Sequence, residues 1–331
     1  MIDYTKFIGP ASWKGADLTK TDDWIWTLTK GEIEELRNVV GDTWDLKLES
    51  ITRQKFHIPA LAPRLERLVD EIRNGRGFVV LRGLPVSEMS SEEVYRAHWG
   101  IGTHLGSALS QNSFGDMLGH VYDEKPDPSE VSPRGYRTNQ LLRFHTDRAD
   151  VVSLLCLRKA LSGGESSIAS SVAIYNAILE HHPEYLPALT RGYMHAHAED
   201  IGLDEPRRLP VFHEQDGVLS CRLNRGPIEN SHLRANIPIT PEEARALVAF
   251  DFYAEHPDYR LDMLLLNGDI QFVNNYRVVH SRKEFTDGEK KQDQRHMVRL
   301  WLNYYGKPWP RGPHLSDYNG VPKKLTREQK P

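Results

Sequence analysis

Short apolar runs rich in β-branched residues recur along the chain, and turn residues such as Gly, Asn and Pro separate them. The clearest of these runs are Gly77–Gly83, Val151–Leu157, Asp269–Val273 and His296–Tyr304. Runs of this length between turn residues are typical of β-strands. Helical periodicity is concentrated towards the front of the chain. The sequence therefore predicts a mainly β protein of the α+β class, with an antiparallel double-sheet core and decorating helices.

Capping signals predict where two helices begin. Ser90 or Ser91 is the expected N-cap of a helix over Ser90–Gly100. Thr240 and Glu243 form a predicted capping box, in which each side chain bonds the backbone N–H of the other residue. These signals place one helix before the β-rich centre of the chain and one inside its second half.

The order of these elements predicts one domain. We find no repeat, low-complexity tract or linker in the 331 residues. We expect a mainly helical decoration over residues 1–75, a β core over residues 77–305 and an irregular extension over residues 306–331. Within the core, the Asn267–Gly268 pair predicts a hairpin between the short runs on either side of it.

Composition excludes several classes of partner. The formal net charge of −4 gives no bulk attraction to nucleic acid or to an anionic membrane. We find no apolar run of membrane-spanning length and no signal peptide. Cys156 and Cys221, the only cysteines, lie in apolar runs and are expected to be reduced thiols. We therefore expect a cytoplasmic protein that binds neither nucleic acid nor membrane. Its Trp-rich front end is either a homo-oligomer interface or a cap on the core.

A histidine and an aspartate, His145 and Asp147, come directly before the apolar run Val151–Leu157. In an extended strand, residues two apart point to the same face, so both side chains could reach one metal ion. The pair proves little alone, because 15 histidines and 46 acidic residues produce such spacings by chance. The same spacing begins at His182, His197 and His256. Context must decide which pair carries chemistry.

Two further features add to that context. His280 lies in a short predicted strand far along the chain from His145, and only a closed sheet could bring the two together. In the last strong strand, Arg295 and Arg299 lie on one face by period two, together with Met297 and Trp301. Buried charge is costly unless it is paired, so this face meets either solvent or anions. An arginine is well shaped to hold a carboxylate through two hydrogen bonds.

Four segments in this order resemble the taurine dioxygenase-like family of Fe(II)- and 2-oxoglutarate-dependent oxygenases, which includes clavaminate synthase-like enzymes. The segments are Phe144–Asp147, Gly163–Ser166, the strand with His280, and Arg295–Leu302. The resemblance implies a double-stranded β-helix, or jelly-roll, core. It also implies Fe(II) as cofactor, with 2-oxoglutarate and O₂ as co-substrates.

The resemblance further implies roles for six residues. His145, Asp147 and His280 would be the two-histidine, one-carboxylate facial triad, which leaves open positions on iron. Arg299 would pair with the far carboxylate of 2-oxoglutarate, helped by the hydroxyl of Ser166. Arg295 would lie near the carboxylate next to the keto group. Because a carboxylate fills the third ligand position, hydroxylation, desaturation or another oxidation is expected rather than halogenation.

The substrate is expected to be a small polar molecule with a carboxylate or amide, such as an amino acid or its derivative. The candidate pocket positions are Gln111, Asn112, Asn139, Arg143 and also Arg148, all near the motif in sequence. The Pro-rich segment Tyr122–Tyr136 is either a lid over the site or a plain connection.

Other functions remain open from the sequence alone. His195, His197 and Glu199 alternate and could form a cupin-like metal site, although a loop-like stretch follows them at once. A non-catalytic small-molecule-binding protein could keep the same fold after losing a ligand. A zinc-dependent hydrolase could use the same triad, but it would have no obvious use for the two arginines and Ser166.

Overall fold

Two packed β-sheets form the centre of the computed structural model, which describes residues 4–125, 135–195, 206–312, 315 and 319–323. The helices of the described residues are α1 (Gly15–Leu18), α2 (Lys30–Asp42), α3 (Ala62–Arg73), α4 (Ser91–Leu105), α5 (Ser171–His181), α6 (Leu186–Arg191), α7 (Arg225–Arg234) and α8 (Pro241–Glu255). The strands are β1 (Ile25–Thr27), β2 (Phe78–Arg82), β3 (Gly106–Ala108), β4 (Leu118–Val121), β5 (Leu142–His145), β6 (Val151–Arg158), β7 (Ser162–Gly163), β8 (Ser166–Ser170), β9 (Tyr193–His195), β10 (Arg207–Leu209), β11 (Phe212–Gln215), β12 (Val218–Cys221), β13 (Arg260–Met263), β14 (Ile270–Asn274), β15 (Val278–Arg282), β16 (Phe285–Thr286) and β17 (His296–Tyr304). None of the described helices is both long and apolar enough to cross a membrane.

The larger sheet has seven strands in the order β1-β2-β14-β6-β17-β3, with β4 also paired to β17. The smaller sheet has four strands in the order β13-β8-β15-β5. All neighbours in these sheets are antiparallel except the β1–β2 pair. The double-sheet core predicted from the strand pattern and the jelly-roll core implied by the resemblance are therefore confirmed.

Apolar side chains of both sheets meet in one buried cluster. Val152 and Val273 reach it from the larger sheet, and Ile168 and Val278 reach it from the smaller one. A second cluster packs α2, α3 and α4 on the outer face of the larger sheet, and a third packs α5 and α8 on the smaller sheet. Alternating side chains thus give each sheet two buried faces, which suits strands with few exposed polar positions.

Both predicted N-caps are confirmed. The Ser90 hydroxyl accepts from the Glu93 N–H at the start of α4, and Glu93 bonds back to the Ser90 N–H. Thr240 and Glu243 form the same reciprocal pair at the start of α8. These caps satisfy N–H groups that have no partner within the helix.

The hairpin predicted at Asn267–Gly268 is wrong. The strands on either side, β13 and β14, belong to different sheets. Gly268 has a positive φ of 90°, and a Cβ there would overlap the Leu84 carbonyl. The pair therefore forms a corner between sheets. Local turn chemistry fixes the bend, but the pairing partner depends on distant strands.

Candidate active site

Strand pairing brings the two predicted histidine ligands together. His145 ends β5 and lies directly opposite His280 in β15. Asp147 follows just beyond the end of β5, so it reaches the same place from the adjoining loop rather than from the strand face expected by period two. His145 Nε2 lies 3.9 Å from Asp147 Oδ1, and His280 Nε2 lies 3.6 Å from Asp147 Oδ2.

These three side chains suit one metal ion. Each offers a ligand atom, and the three atoms lie within 4.8 Å of one another. Among the described residues, this is the one cluster of at least three His, Cys, Asp or Glu side chains with such spacing. Two imidazoles, one carboxylate and no thiolate form a donor set that suits non-haem Fe(II).

The electrostatic environment favours the metal-binding protonation states. Burial, with His280 nearby, lowers the pKa of His145 to about 4. Burial alone would raise the pKa of Asp147, but Arg299 and His280 outweigh it and hold that pKa well below its usual range. Near neutral pH, His145 is therefore neutral and Asp147 is charged, so neither must lose a proton before it binds a metal.

The backbone around the ligands is held by hydrogen bonds. His145 Nδ1 lies 2.9 Å from the Arg143 carbonyl, which turns Nε2 towards Asp147. The buried Asn275 amide accepts from the Asp147 N–H at 2.8 Å and donates to the Asp147 carbonyl at 2.7 Å. Asn275 lies between β14 and β15, just before the strand that carries His280. The sequence pattern did not predict this contact.

Strand β17 supplies hydrogen-bond donors to the Asp147 carboxylate. Arg299 Nη1 lies 3.3 Å from Asp147 Oδ2, and the Trp301 indole Nε1 donates to that oxygen at 3.0 Å. Of the two environments left open by the sequence, this face of β17 therefore meets an anion. The role of Trp301 could not be predicted, because its position on the strand face does not reveal its partner.

Arg295 lies in a different environment from Arg299. It is buried, and its Nη1 has no hydrogen-bond partner among the described residues. Burial lowers its pKa to about 10, so the guanidinium is still charged at neutral pH. Gly164 lies against this guanidinium, because a Cβ added at Gly164 would stand 3.3 Å from Arg295 Nε. Two residues on, the Ser166 hydroxyl donates to Gln271 Oε1 at 3.2 Å.

A second buried guanidinium lies on the same aromatic ring. Arg295 and Arg282 lie 5.2 Å and 4.8 Å from the Phe285 ring centroid. Arg282 Nε and Nη1 also lack hydrogen-bond partners among the residues that the structure describes, although Nη2 donates to the Gln140 carbonyl. Unpaired buried cations are costly, and this pair therefore marks a place where an anion would be stabilised.

The structure joins one predicted substrate residue to the metal ligands. Gln111 Oε1 accepts from Arg299 Nε at 2.8 Å, while its Nε2 donates to the carbonyls of Met117 and Arg299. Gly119 lies against this amide, because a side chain at Gly119 would overlap Gln111 Oε1. Gln111 is thus linked to Asp147 through Arg299.

The other predicted substrate residues have different partners. Asn112 uses its amide within its own loop, bonding Asp116 and the Phe114 N–H. The Asn139 carbonyl accepts from the Phe285 N–H at 3.1 Å. The Arg143 side chain is 64% exposed and lies 3.8 Å from Glu229. Their part in substrate binding stays a prediction.

Two features named from the sequence fall partly outside the described residues. In the candidate lid Tyr122–Tyr136, residues 126–134 are not among them. In the candidate cupin-like cluster, His195 is buried on β9, while His197 and Glu199 are not among them. The Arg148 carbonyl, near the metal ligands, accepts from the Gly320 N–H at 2.7 Å.

Comparison with known proteins decides the family. Residues 44–301 match the model of the family described as "Taurine catabolism dioxygenase TauD, TfdA family". The chain belongs to the TauD/TfdA family. It is also 30% identical over 308 residues to FR-33289 synthase of Streptomyces rubellomurinus, covering 89% of each chain.

Solved structures share the fold of this TauD/TfdA enzyme. One is asparagine oxygenase in complex with Fe(II), 3-hydroxyasparagine and succinate, with a TM-score of 0.69, 20% identity, and coverage of 84% of this chain and 93% of that one. Another is the non-haem iron oxygenase OrfP with Fe and alpha-ketoglutaric acid, with a TM-score of 0.62, 17% identity, and coverage of 84% and 93%.

Family membership sets the class of reaction. The TauD/TfdA protein is an Fe(II)- and 2-oxoglutarate-dependent dioxygenase that uses O₂ and acts on a small molecule. This assignment replaces the three alternative functions that the sequence left open, which were a non-catalytic binding protein, a cupin-like enzyme and a zinc hydrolase.

Proposed function

We propose that this dioxygenase hydroxylates a small polar molecule, an amino acid or a derivative of one, with His145, Asp147 and His280 as the iron ligands. The convergence of these three ligand atoms within 4.8 Å carries the proposal. When bound there, Fe(II) would couple the conversion of 2-oxoglutarate and O₂ to succinate and CO₂ with oxidation of the substrate. The amino-acid class is supported by the hydroxyasparagine in the complex of asparagine oxygenase.

The geometry favours an exchange of the two arginine roles expected from the sequence. Arg299 contacts the metal ligand Asp147, so we assign it to the carboxylate next to the keto group, which binds at the metal. Arg295 is buried, its Nη1 has no partner in the described part of the chain, and we assign it to the far carboxylate. Ser166 keeps its expected place with the far carboxylate, since Gly164, two residues before it, adjoins Arg295. Anion binding would offset the cost of burying Arg295.

A co-substrate analogue separates these assignments. 2-Oxopentanoate has the keto acid of 2-oxoglutarate but lacks the far carboxylate. Arg295→Met should weaken 2-oxoglutarate binding by at least tenfold and leave 2-oxopentanoate binding unchanged. Arg299→Met should weaken both. If the two variants show the opposite pattern, Arg299 holds the far carboxylate instead.

We also assign roles to the four residues that the sequence placed near the substrate. We assign Gln111 to orienting Arg299, because its amide oxygen is occupied by that guanidinium. Asn112, Asn139 and Arg143 stay candidates for the substrate pocket. An unchanged substrate KM in Asn112→Ala or Arg143→Ala would remove that residue from the pocket.

The decisive experiment needs no substrate. Fe(II) and then 2-oxoglutarate are added to the protein without oxygen, and the visible charge-transfer absorption of chelated 2-oxoglutarate is measured. We expect the absorption in the unmodified protein and in His256→Ala, which alters a matched His-x-Asp pair with a half-buried imidazole. It should be absent in His280→Ala. Iron binding without this absorption would overturn the proposed function.

We also propose that the chain is one oxygenase domain, with residues 1–75 decorating the core of residues 77–305, and that it works in the cytoplasm. The reduced, buried state of Cys156 and Cys221 is what a reducing compartment would maintain. A homo-oligomer stays a prediction. One cooperative unfolding transition and a light-scattering mass would test the domain and the oligomeric state.

A further inference from the structure

The two carboxylate oxygens of Asp147 differ in their hydrogen bonds. Asp147 Oδ2 accepts from Trp301 Nε1 at 3.0 Å and from Arg299 Nη1 at 3.3 Å. Asp147 Oδ1 accepts no hydrogen bond from the described residues, and His145 Nε2 lies 3.9 Å from it. The protein therefore donates hydrogen bonds to Oδ2, which also lies 3.6 Å from His280 Nε2, and leaves Oδ1 facing His145.

Of the two donors, Trp301 can make only one hydrogen bond. An indole has one N–H and no acceptor, and that N–H is used on Asp147. Arg299 also bonds Gln111, and in the proposed function it binds the co-substrate. When the co-substrate engages Arg299, the indole remains as the donor that holds Oδ2.

The fold keeps the indole in place. Trp301 is buried in the cluster between the two sheets, and it pairs with Val152 of β6 in the register of the larger sheet. Its ring also lies 4.6 Å from the Arg299 guanidinium carbon. A buried ring that is packed in this cluster cannot follow a rotating carboxylate, so it acts as a fixed donor.

We infer that Trp301 is a positioning residue that restricts Asp147 to one metal-binding oxygen, an inference that rests on the proposed function. By holding Oδ2, the indole leaves Oδ1 as the ligand atom and prevents the carboxylate from turning both oxygens to the metal. The consequence is functional, because a second carboxylate oxygen would fill a position that 2-oxoglutarate or O₂ needs. Groups that orient metal ligands in this way typically affect metal affinity by about 10–100-fold.

The test compares two tryptophans. Trp301→Phe keeps an aromatic ring beside Arg299 and removes the N–H. Trp309→Phe is the matched control, since Trp309 is also buried and its indole donates to Ser220 Oγ at 2.8 Å. Co(II), a redox-stable probe, is titrated anaerobically, and its dissociation constant and visible spectrum are recorded with the unfolding temperature of the metal-free protein.

We expect Trp301→Phe to weaken Co(II) binding by at least tenfold and to change the Co(II) spectrum, because the carboxylate is no longer held to one oxygen. Trp309→Phe should stay within twofold and keep the spectrum. Trp301→Leu, which also removes the N–H, replaces Trp301→Phe as the test if that variant does not fold. Unchanged affinity and spectrum in the variant tested, or equal losses in both tryptophan positions, would overturn the inference.

The inference and the proposed function fail in different ways. If the unmodified protein binds Co(II) but shows no absorption with Fe(II) and 2-oxoglutarate, the proposed function fails. If that absorption is present and is the same in Trp301→Phe, with unchanged metal affinity, only the role of Trp301 fails.

Discussion

Asp147 and Asp150 lie in the same connection between β5 and β6, and both are buried, but their carboxylates differ in hydrogen bonding. Asp150 has donors on both oxygens: Arg311 and Asn319 bond Oδ1, and the Tyr304 N–H bonds Oδ2 at 3.1 Å. Among the residues that the structure describes, Asp147 has hydrogen-bond donors on Oδ2 alone. A structural carboxylate is satisfied by the protein, whereas a carboxylate prepared for a metal keeps one oxygen for it.

The charges around the two groups differ as well. Burial raises the pKa of Asp150, and the opposing effect of Arg311 does not fully offset it. Arg299 and His280 overcome burial at Asp147 and keep its pKa low. Asp150 ties the end of β17 to Arg311 and Asn319 near the C-terminus, so its contacts serve the fold, while those of Asp147 serve the site.

Removing the metal carboxylate should have the largest effect. In Asp147→Ala we expect loss of the Fe(II)–2-oxoglutarate absorption and of 2-oxoglutarate turnover, because the triad loses its only anionic ligand. The circular dichroism spectrum should be unchanged. His145→Ala should behave in the same way. Full activity in either variant would place the metal elsewhere.

Removing the structural carboxylate should damage the fold and spare the site. Asp150→Ala leaves Arg311 buried without its partner, which typically costs about 3–5 kcal/mol of unfolding free energy. Urea titration measures this loss, and the folded fraction should still bind Co(II) with unchanged affinity. A variant that kept its stability but lost the metal would show that Asp150 belongs to the site.

Metal binding should stabilise the protein through Asp147 and not through Asp150. At a free Co(II) concentration 100 times the dissociation constant, the unfolding free energy should rise by about 2.7 kcal/mol. We expect this gain in the unmodified protein and in Asp150→Ala, and none in Asp147→Ala. Thermal unfolding with and without a chelator measures it. Equal gains in all three would mean that Co(II) binds outside the triad.

Asn275 connects the backbones of the two aspartates, because its side chain bonds the Asp147 backbone and its N–H donates to the Asp150 carbonyl. Asn275→Ala leaves buried backbone groups without partners, at a cost of about 1–3 kcal/mol. It should also weaken Co(II) binding. Urea titration measures the first effect and Co(II) titration measures the second. Lost stability with an unchanged Co(II) affinity would argue against the connection.

Much of the architecture could be predicted because it depends on local signals. Capping residues predicted the starts of α4 and α8, and β-rich runs predicted four strands of the larger sheet, β2, β6, β14 and β17. The hairpin at Asn267–Gly268 was wrong because a tight bend does not specify which strand pairs with which. Pairing depends on side-chain packing between segments far apart in sequence.

The sequence by itself determined the chemical types at the site: two imidazoles, a carboxylate and two guanidiniums in a recognisable order. Only the tertiary structure decided which atoms meet. It placed His145 opposite His280, bonded the Trp301 indole to Asp147 Oδ2, and left Arg295 Nη1 without a hydrogen-bond partner among the described residues. The physical reason is that hydrogen bonds and ion pairs depend on distances of a few ångströms between strands that lie far apart in the chain.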